Sequence, residues 1–214
     1  MAPEGRIILI PLLLLAVLFS AGWIWSDQSW LKWITPALWL LALFSLQFFR
    51  DPPRQLPEDP LAFVSPADGR VVALENIDHD EHIGGPAQRI SIFLSVFNVH
   101  VQRVPFAAQV DSSSYHKGRF LAAFNQQASH ENEHAATYFR SGDKRFIVRQ
   151  IAGLLARRIL TYMEAGSAVA RGDRLGYIRF GSRVDVVLPS SFKLSIEIGD
   201  SVKGGETVIG YFGS

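Results

Sequence analysis

The stretch LGYIRFGSRVDVVLPSS, residues 175–191, sets the reading of the whole chain. Two alternating runs, GYIRF and RVDVVLP, flank Gly181 and Ser182. Period-2 alternation rich in Val, Ile, Tyr and Phe spells β-strands, because successive side chains of a strand point to opposite faces. A two-residue link with Gly first suits a tight turn, since Gly takes a positive φ without a Cβ clash. On pattern alone, Gly181-Ser182 is the turn of a hairpin.

The same alternation extends in both directions through GRVVALE, RISIFLS, HVQRVPF, TYFR, RFIVRQIAG, KLSIEI and ETVIGYF. Turn chemistry punctuates it at SPADG, HIGGP, SGDK, RGD and IGDSVKGG. LLARRILTYM, residues 154–163, fits a helix or a strand, and strand is the leading reading because Gln150 to Arg158 continues an alternating run. ARGDRLGYI (170–178) is echoed by VKGGETVIGY (202–211), two turn-then-strand units of the kind that build small sandwich barrels. Residues 62–214 are therefore expected to form one mostly β, sandwich-barrel-like domain with some α-structure.

Upstream, the composition changes. Ile7 to Ile24 is 18 residues without a charge, and Trp33 to Phe49 is another 17. As helices each would span about 25 Å, close to the thickness of a bilayer core. The five tryptophans (Trp23, Trp25, Trp30, Trp33, Trp39) all fall here, four of them around the short polar link, as in an interfacial belt. The reading is a transmembrane α-helical hairpin over residues 1–50, with spans at about 7–24 and 33–49. A cleaved signal peptide fits less well, because only Arg6 precedes the first run and a second span follows at once. The link carries only Lys32, whereas the outer flanks carry Arg6, Arg50 and Arg54, so both termini and the β domain are expected on the cytoplasmic side of the cell membrane. Four prolines in FFRDPPRQLPEDP make residues 51–61 a stiff connector.

Net charge is +1 and no basic block appears, which gives no basis for nucleic-acid binding. The chain has no cysteine, which excludes disulfides and thiolate metal sites. HENEH, residues 130–134, satisfies H-E-x-x-H, and on a helix His130 and His134 would share a zinc with Glu131 as general base. The flanking NQQASHENEHAATYF lacks the apolar face needed to bury such a helix, so a solvated loop is the leading reading, with a membrane-anchored zinc metalloprotease as the alternative. DHDEH, 78–82, reads as an exposed loop. His100 stands out because it interrupts an apolar alternating run, where a partly buried imidazole is tunable as acid or base. Asp68, in SPADG, is by itself an ordinary turn-former.

Taken together, FFRDPPR (48–54), FVSPADGRVV (63–72), SIFLSVFNVHVQRVP (91–105), HKGRFLAAFNQQASHENE (116–133), RQIAGLLARRI (149–159) and GDRLGYIRFGSRVDVVLP (172–189) resemble, in order, the short two-span branch of the phosphatidylserine decarboxylase family. The resemblance covers nearly the whole chain. It implies self-cleavage (serinolysis) between Gly181 and Ser182, leaving a β chain, 1–181, and an α chain, 182–214, that stay together as a heterodimer. It implies that Ser182 becomes a pyruvoyl group, a covalent cofactor that forms a Schiff base with phosphatidylserine and releases phosphatidylethanolamine. No metal is implied. In the family the aspartate of SPxDG pairs with a histidine to activate the serine, which points to Asp68 and His100. The longer branch has a second histidine where Arg103 stands here, and reads Leu-Gly-Ser-Thr where this chain reads Phe-Gly-Ser-Arg. His116, Lys117 and Arg145 are candidate contacts for the lipid phosphate.

Overall fold

The computed structural model describes residues 1–26, 28–121, 131–153, 159–178 and 181–213. The chain divides into two compact units, Met1–Pro52 and Pro53–Ser214.

The first unit is a pair of helices, α1 (Arg6–Trp25) and α2 (Leu31–Phe48), preceded by a 3-10 turn at Pro3–Gly5. Both helices are long and apolar enough to cross a membrane. They interlock through the few polar groups they hold: Trp39 Nε1 donates to Ser20 Oγ at 3.1 Å, and Thr35 Oγ1 to the Phe19 carbonyl at 3.4 Å. In an apolar surround such groups need partners within the hairpin.

The second unit is built from fourteen strands among the described residues. In chain order these are β1 (Phe63–Val64), β2 (Gly69–Asp80), β3 (Gly85–Leu94), β4 (Val101–Arg103), β5 (Ala108–His116), β6 (His134–Ser141) and β7 (Lys144–Ile151). There follow β8 (Ile159–Thr161), β9 (Ala168–Val169), β10 (Arg174–Ile178), β11 (Ser182–Pro189), β12 (Lys193–Leu194), β13 (Ser201–Val202) and β14 (Val208–Tyr211). An eight-stranded sheet runs β13-β2-β3-β11-β7-β6-β5-β9. Two three-stranded sheets, β4-β10-β8 and β1-β14-β12, complete the unit.

Alternation sorts the large sheet's two faces. Ile90, Ile92 and Leu94 of β3, Val184, Val186 and Leu188 of β11, and Phe146 and Val148 of β7 enter the main core with Val104, Leu175 and Ile178. Phe63 anchors that core, its ring 6.0 Å from Phe106 and 5.1 Å from Phe146. The residues between them face the other way, and Ala87, Ala136, Ile147 and Val187 form a second, smaller cluster there.

Two readings change. GYIRF and RVDVVLP are not the arms of one hairpin: β10 pairs with β4 and β8, whereas β11 pairs with β3 and β7. Alternation reports which face is buried but not which strand lies alongside, so the Gly-Ser link proves to be a crossing between sheets. DHDEH is no loop either. β2 continues through Asp80, and only Glu81 and His82 turn. Of LLARRILTYM, Ile159–Thr161 is a strand, and residues 154–158 lie outside the described residues.

Candidate active site

β3 lies between β2 and β11 and is antiparallel to both. Leu94, its last residue, faces Ser182, and Phe93 faces Arg70. Asp68, just before β2, and Ser182, first in β11, therefore flank the end of β3, about 10 Å apart at two strand spacings. The chain leaving Leu94 turns at once: Ser95 N and Oγ both donate to Asn98 Oδ1, at 2.9 and 2.8 Å, and Asn98 N donates back to the Ser95 carbonyl. Two residues later comes His100, whose carbonyl accepts from Ile178 N at 3.4 Å. The crossing is thus tied at Ile178 to His100 and at Ser182 to Leu94. Residues 179 and 180 lie outside the described residues.

Ser182 is fully buried, and its Oγ has no hydrogen-bond partner among the described residues. A buried hydroxyl without a partner costs about 1–3 kcal/mol, so such an atom calls for a chemical reason. Before it, Gly181 holds φ +60°. A Cβ there would meet nothing within 4 Å among the described residues, so the φ is what asks for glycine.

His100 is also fully buried. Its Nδ1 lies 2.9 Å from the Asn98 carbonyl. A carbonyl only accepts, so in the neutral ring Nδ1 carries the hydrogen and Nε2 is the basic nitrogen. Beneath it runs a buried amide network. Gln102 Nε2 donates to the His100 carbonyl at 2.7 Å, Gln150 Nε2 to Gln102 Oε1 at 2.9 Å, and Thr161 Oγ1 to Gln150 Oε1 at 2.6 Å. Gly176 makes room for it, since a Cβ there would lie 2.2 Å from the Leu160 carbonyl and 2.5 Å from Gln150 Nε2.

Asp68 is held at the same end of the sheet, with its Oδ1 accepting from Arg54 and from Gly204 N, both at 2.8 Å. In this structure the carboxylate is engaged by Arg54 and Gly204.

Gly181, Ser182, His100 and Asp68 therefore share one end of the sheet, and the remaining candidates scatter. His116 pairs with His134 and lies three strands from Ser182, about 14 Å. Lys117 follows it and is exposed. Arg145 lies six residues up β7 from Ile151, about 20 Å from the Ser182 end, and donates to the His82 carbonyl at 3.1 Å.

The zinc-protease alternative loses its geometry, because His134 begins strand β6. His130 lies outside the described residues, and among the described residues no group of three metal-binding side chains exists. Instead His134 stacks on His116 at 4.7 Å, with its Nδ1 2.9 Å from the Asn132 carbonyl. Burial, and then the neighbouring His116 and Arg149, hold the His134 imidazole below its ordinary value. Next to it, burial and the Glu133 carboxylate push the Tyr115 phenol up to about 12. His79, Asp80, Glu81 and His82 border a polar cavity of about 620 Å³ with Ser112, Tyr138 and Arg149.

Sequence reasoning missed three participants. Arg54 looked like part of a connector. Arg183 and Asp185, respectively 1% and 0% exposed, were not singled out within RVDVVLP. Opposite charges at i and i+2 of a strand share one face, which signals their pairing but not their burial.

Residues 41–210 match the family model described as phosphatidylserine decarboxylase. Three of the chain's relatives carry the name phosphatidylserine decarboxylase proenzyme. The one from Aromatoleum aromaticum is 43% identical over 91% of this chain and 90% of its own length. That from Nitrosomonas eutropha is 44% identical over 92% and 88%. That from Cupriavidus pinatubonensis is 43% identical over 97% and 93%.

Proposed function

The chain belongs to the phosphatidylserine decarboxylase family and is a decarboxylase, and from that premise we propose that it cuts itself between Gly181 and Ser182 and uses the resulting pyruvoyl group to convert phosphatidylserine to phosphatidylethanolamine. The observation that carries this reading is the buried Ser182 Oγ, without a partner among the described residues, behind a left-handed glycine. That hydroxyl fits the role of a nucleophile, with no competing hydrogen bond among the described residues. The name proenzyme borne by the relatives also favours processing.

In this proposal Ser182 Oγ attacks the Gly181 carbonyl carbon while its proton passes to a base. The C–N bond breaks, leaving an ester at Oγ and an amine on residue 182. Removal of the 182 α-hydrogen expels Gly181 as a carboxylate, and hydrolysis releases ammonia to leave the pyruvoyl group. His100 is assigned the proton transfers, through Nε2, with Nδ1–H held on Asn98. Asp68 supports it from the neighbouring loop, in an orientation set by Arg54 and Gly204. Once formed, the pyruvoyl carbonyl supplies the electron sink that loss of CO2 requires and that no side chain offers. His116 and Lys117 are assigned to the lipid phosphate; Arg145, at the far end of β7, is left out. The helical hairpin anchors the enzyme in the membrane that holds its substrate, with the second unit on the cytoplasmic side.

The test is the intact mass of the denatured, purified full chain, wild type beside Ser182→Ala, with both assayed on phosphatidylserine vesicles. Support requires two wild-type fragments split at Gly181-Ser182, the smaller blocked by pyruvoyl, and an uncut, inactive variant. A wild-type chain that is active but whole would sink the self-cleavage reading.

A further inference from the structure

Arg183, the second residue past the scission point, carries the most deeply buried guanidinium among the described residues of the second unit. Arg183 is 1% exposed, on the face of β11 opposite Ser182. Its Nε donates to Asp185 Oδ1 at 2.6 Å, and its terminal nitrogen donates to Ser91 Oγ of β3. Asp185, with no exposure, also faces Arg89 Nε at 3.9 Å, and Arg89 pairs with Glu75. Four side chains from three adjacent strands thus form a charged row that begins directly behind Ser182.

In the intact chain, residue 182 is held by a peptide bond on each side. After the proposed cut nothing precedes it, and it becomes the loose end of a strand. Strand ends fray because their last residues are held by few bonds. Here the reacting group would sit on that end, and displacements of about 1 Å at a reacting centre cost up to about 100-fold in rate. We propose that Arg183 is a positioning residue that latches the new N-terminus of the α chain to β3. Peeling residue 182 away would pull the guanidinium off Asp185 and leave that carboxylate buried without it, which opposes fraying. The latch grips from behind, so it leaves the face that carries Ser182 clear. This inference rests on the self-cleavage proposed above.

The experiment compares the full-length chain in detergent with and without Arg183→Met, both in the cleavable protein and in the uncut Ser182→Ala background. Amide exchange is followed by mass spectrometry over residues 183–187. The latch predicts roughly ten-fold faster exchange on Arg183→Met in the cleaved enzyme and little change in the uncut chain. It also predicts turnover per cleaved chain lower by roughly 10- to 100-fold with KM unchanged, partly restored in Arg183→Lys. Equal exchange gains in both backgrounds would mean an ordinary structural role and overturn the latch, as would unchanged turnover. Should Arg183→Met fail to fold, Ser91→Ala removes only the bond to β3 and must show the same cleaved-only gain. A wild-type chain that stays uncut overturns the self-cleavage reading and the latch with it. A cut wild type whose Arg183 and Ser91 variants behave normally overturns the latch alone.

Discussion

Arg54 and Asp68, fourteen positions apart, meet at 2.8 Å, with side chains only 7% and 13% exposed. Arg54 stands in a run of prolines, and Asp68 ends the loop that feeds β2. The connector therefore supplies the counter-charge for the carboxylate that the proposed mechanism needs beside the scission point.

Replacing Arg54 with Met should leave Asp68 partly buried with only the Gly204 amide. Breaking such a pair costs about 3 kcal/mol, which corresponds to a fall in melting midpoint of roughly 5–10 °C in a unit of this size. Thermal denaturation of the full chain in detergent checks it, and a self-cleavage time course on the same sample should be slower. A midpoint within 1 °C or so of wild type would show the pair to be inconsequential.

Gly181→Ala and Gly176→Ala should separate two reasons for glycine. At Gly181 the added methyl meets nothing, so only the φ of +60° resists, at about 1–2 kcal/mol. Such a protein should fold and cut itself roughly 5- to 30-fold more slowly, as read by gel over time. At Gly176 the methyl would strike the Leu160 carbonyl and Gln150, so that variant should accumulate poorly or not at all. Equal behaviour of the two would contradict this assignment.

His100→Gln tests the proposed base. Self-cleavage, or turnover once cleaved, should drop by roughly 100-fold or more. Asn98→Ala, which removes the Ser95 contacts but keeps the carbonyl that orients the ring, should have a smaller effect on both. Scoring cleavage by mass before measuring turnover tells which step depends on His100.

A pH dependence follows from His134. Its folded imidazole binds a proton less readily than an unfolded one, because of burial and the positive field of His116 and Arg149, partly opposed by the hydrogen bond to the Asn132 carbonyl and by Asp185. The unfolded chain therefore takes up the proton first, and stability present above about pH 6.5 is lost as pH falls through 6.5 toward the lower folded value. His134→Gln should flatten the fall in melting midpoint between pH 7.5 and 5.5. An unchanged slope would place the acid sensitivity elsewhere.

The apolar spans, the mostly β character of the rest and the family were legible in the amino-acid order. The first two depend on local periodicity, and the third on an ordered set of short motifs. Partnership was not legible. GYIRF and RVDVVLP look like neighbours, yet they enter different sheets, because pairing is decided by which strands jointly bury their apolar faces. For the same reason HENEH matched a helical zinc motif while His134 lies in a strand facing His116. Nothing local announced that Arg54 would reach Asp68, or that Arg183 and Asp185 would be buried to the last few per cent of their surface. Sequence fixes which side of a strand each residue occupies. Only the assembled sheets determine what covers that side, and burial turns an ordinary charge or hydroxyl into one that must be paired or put to use.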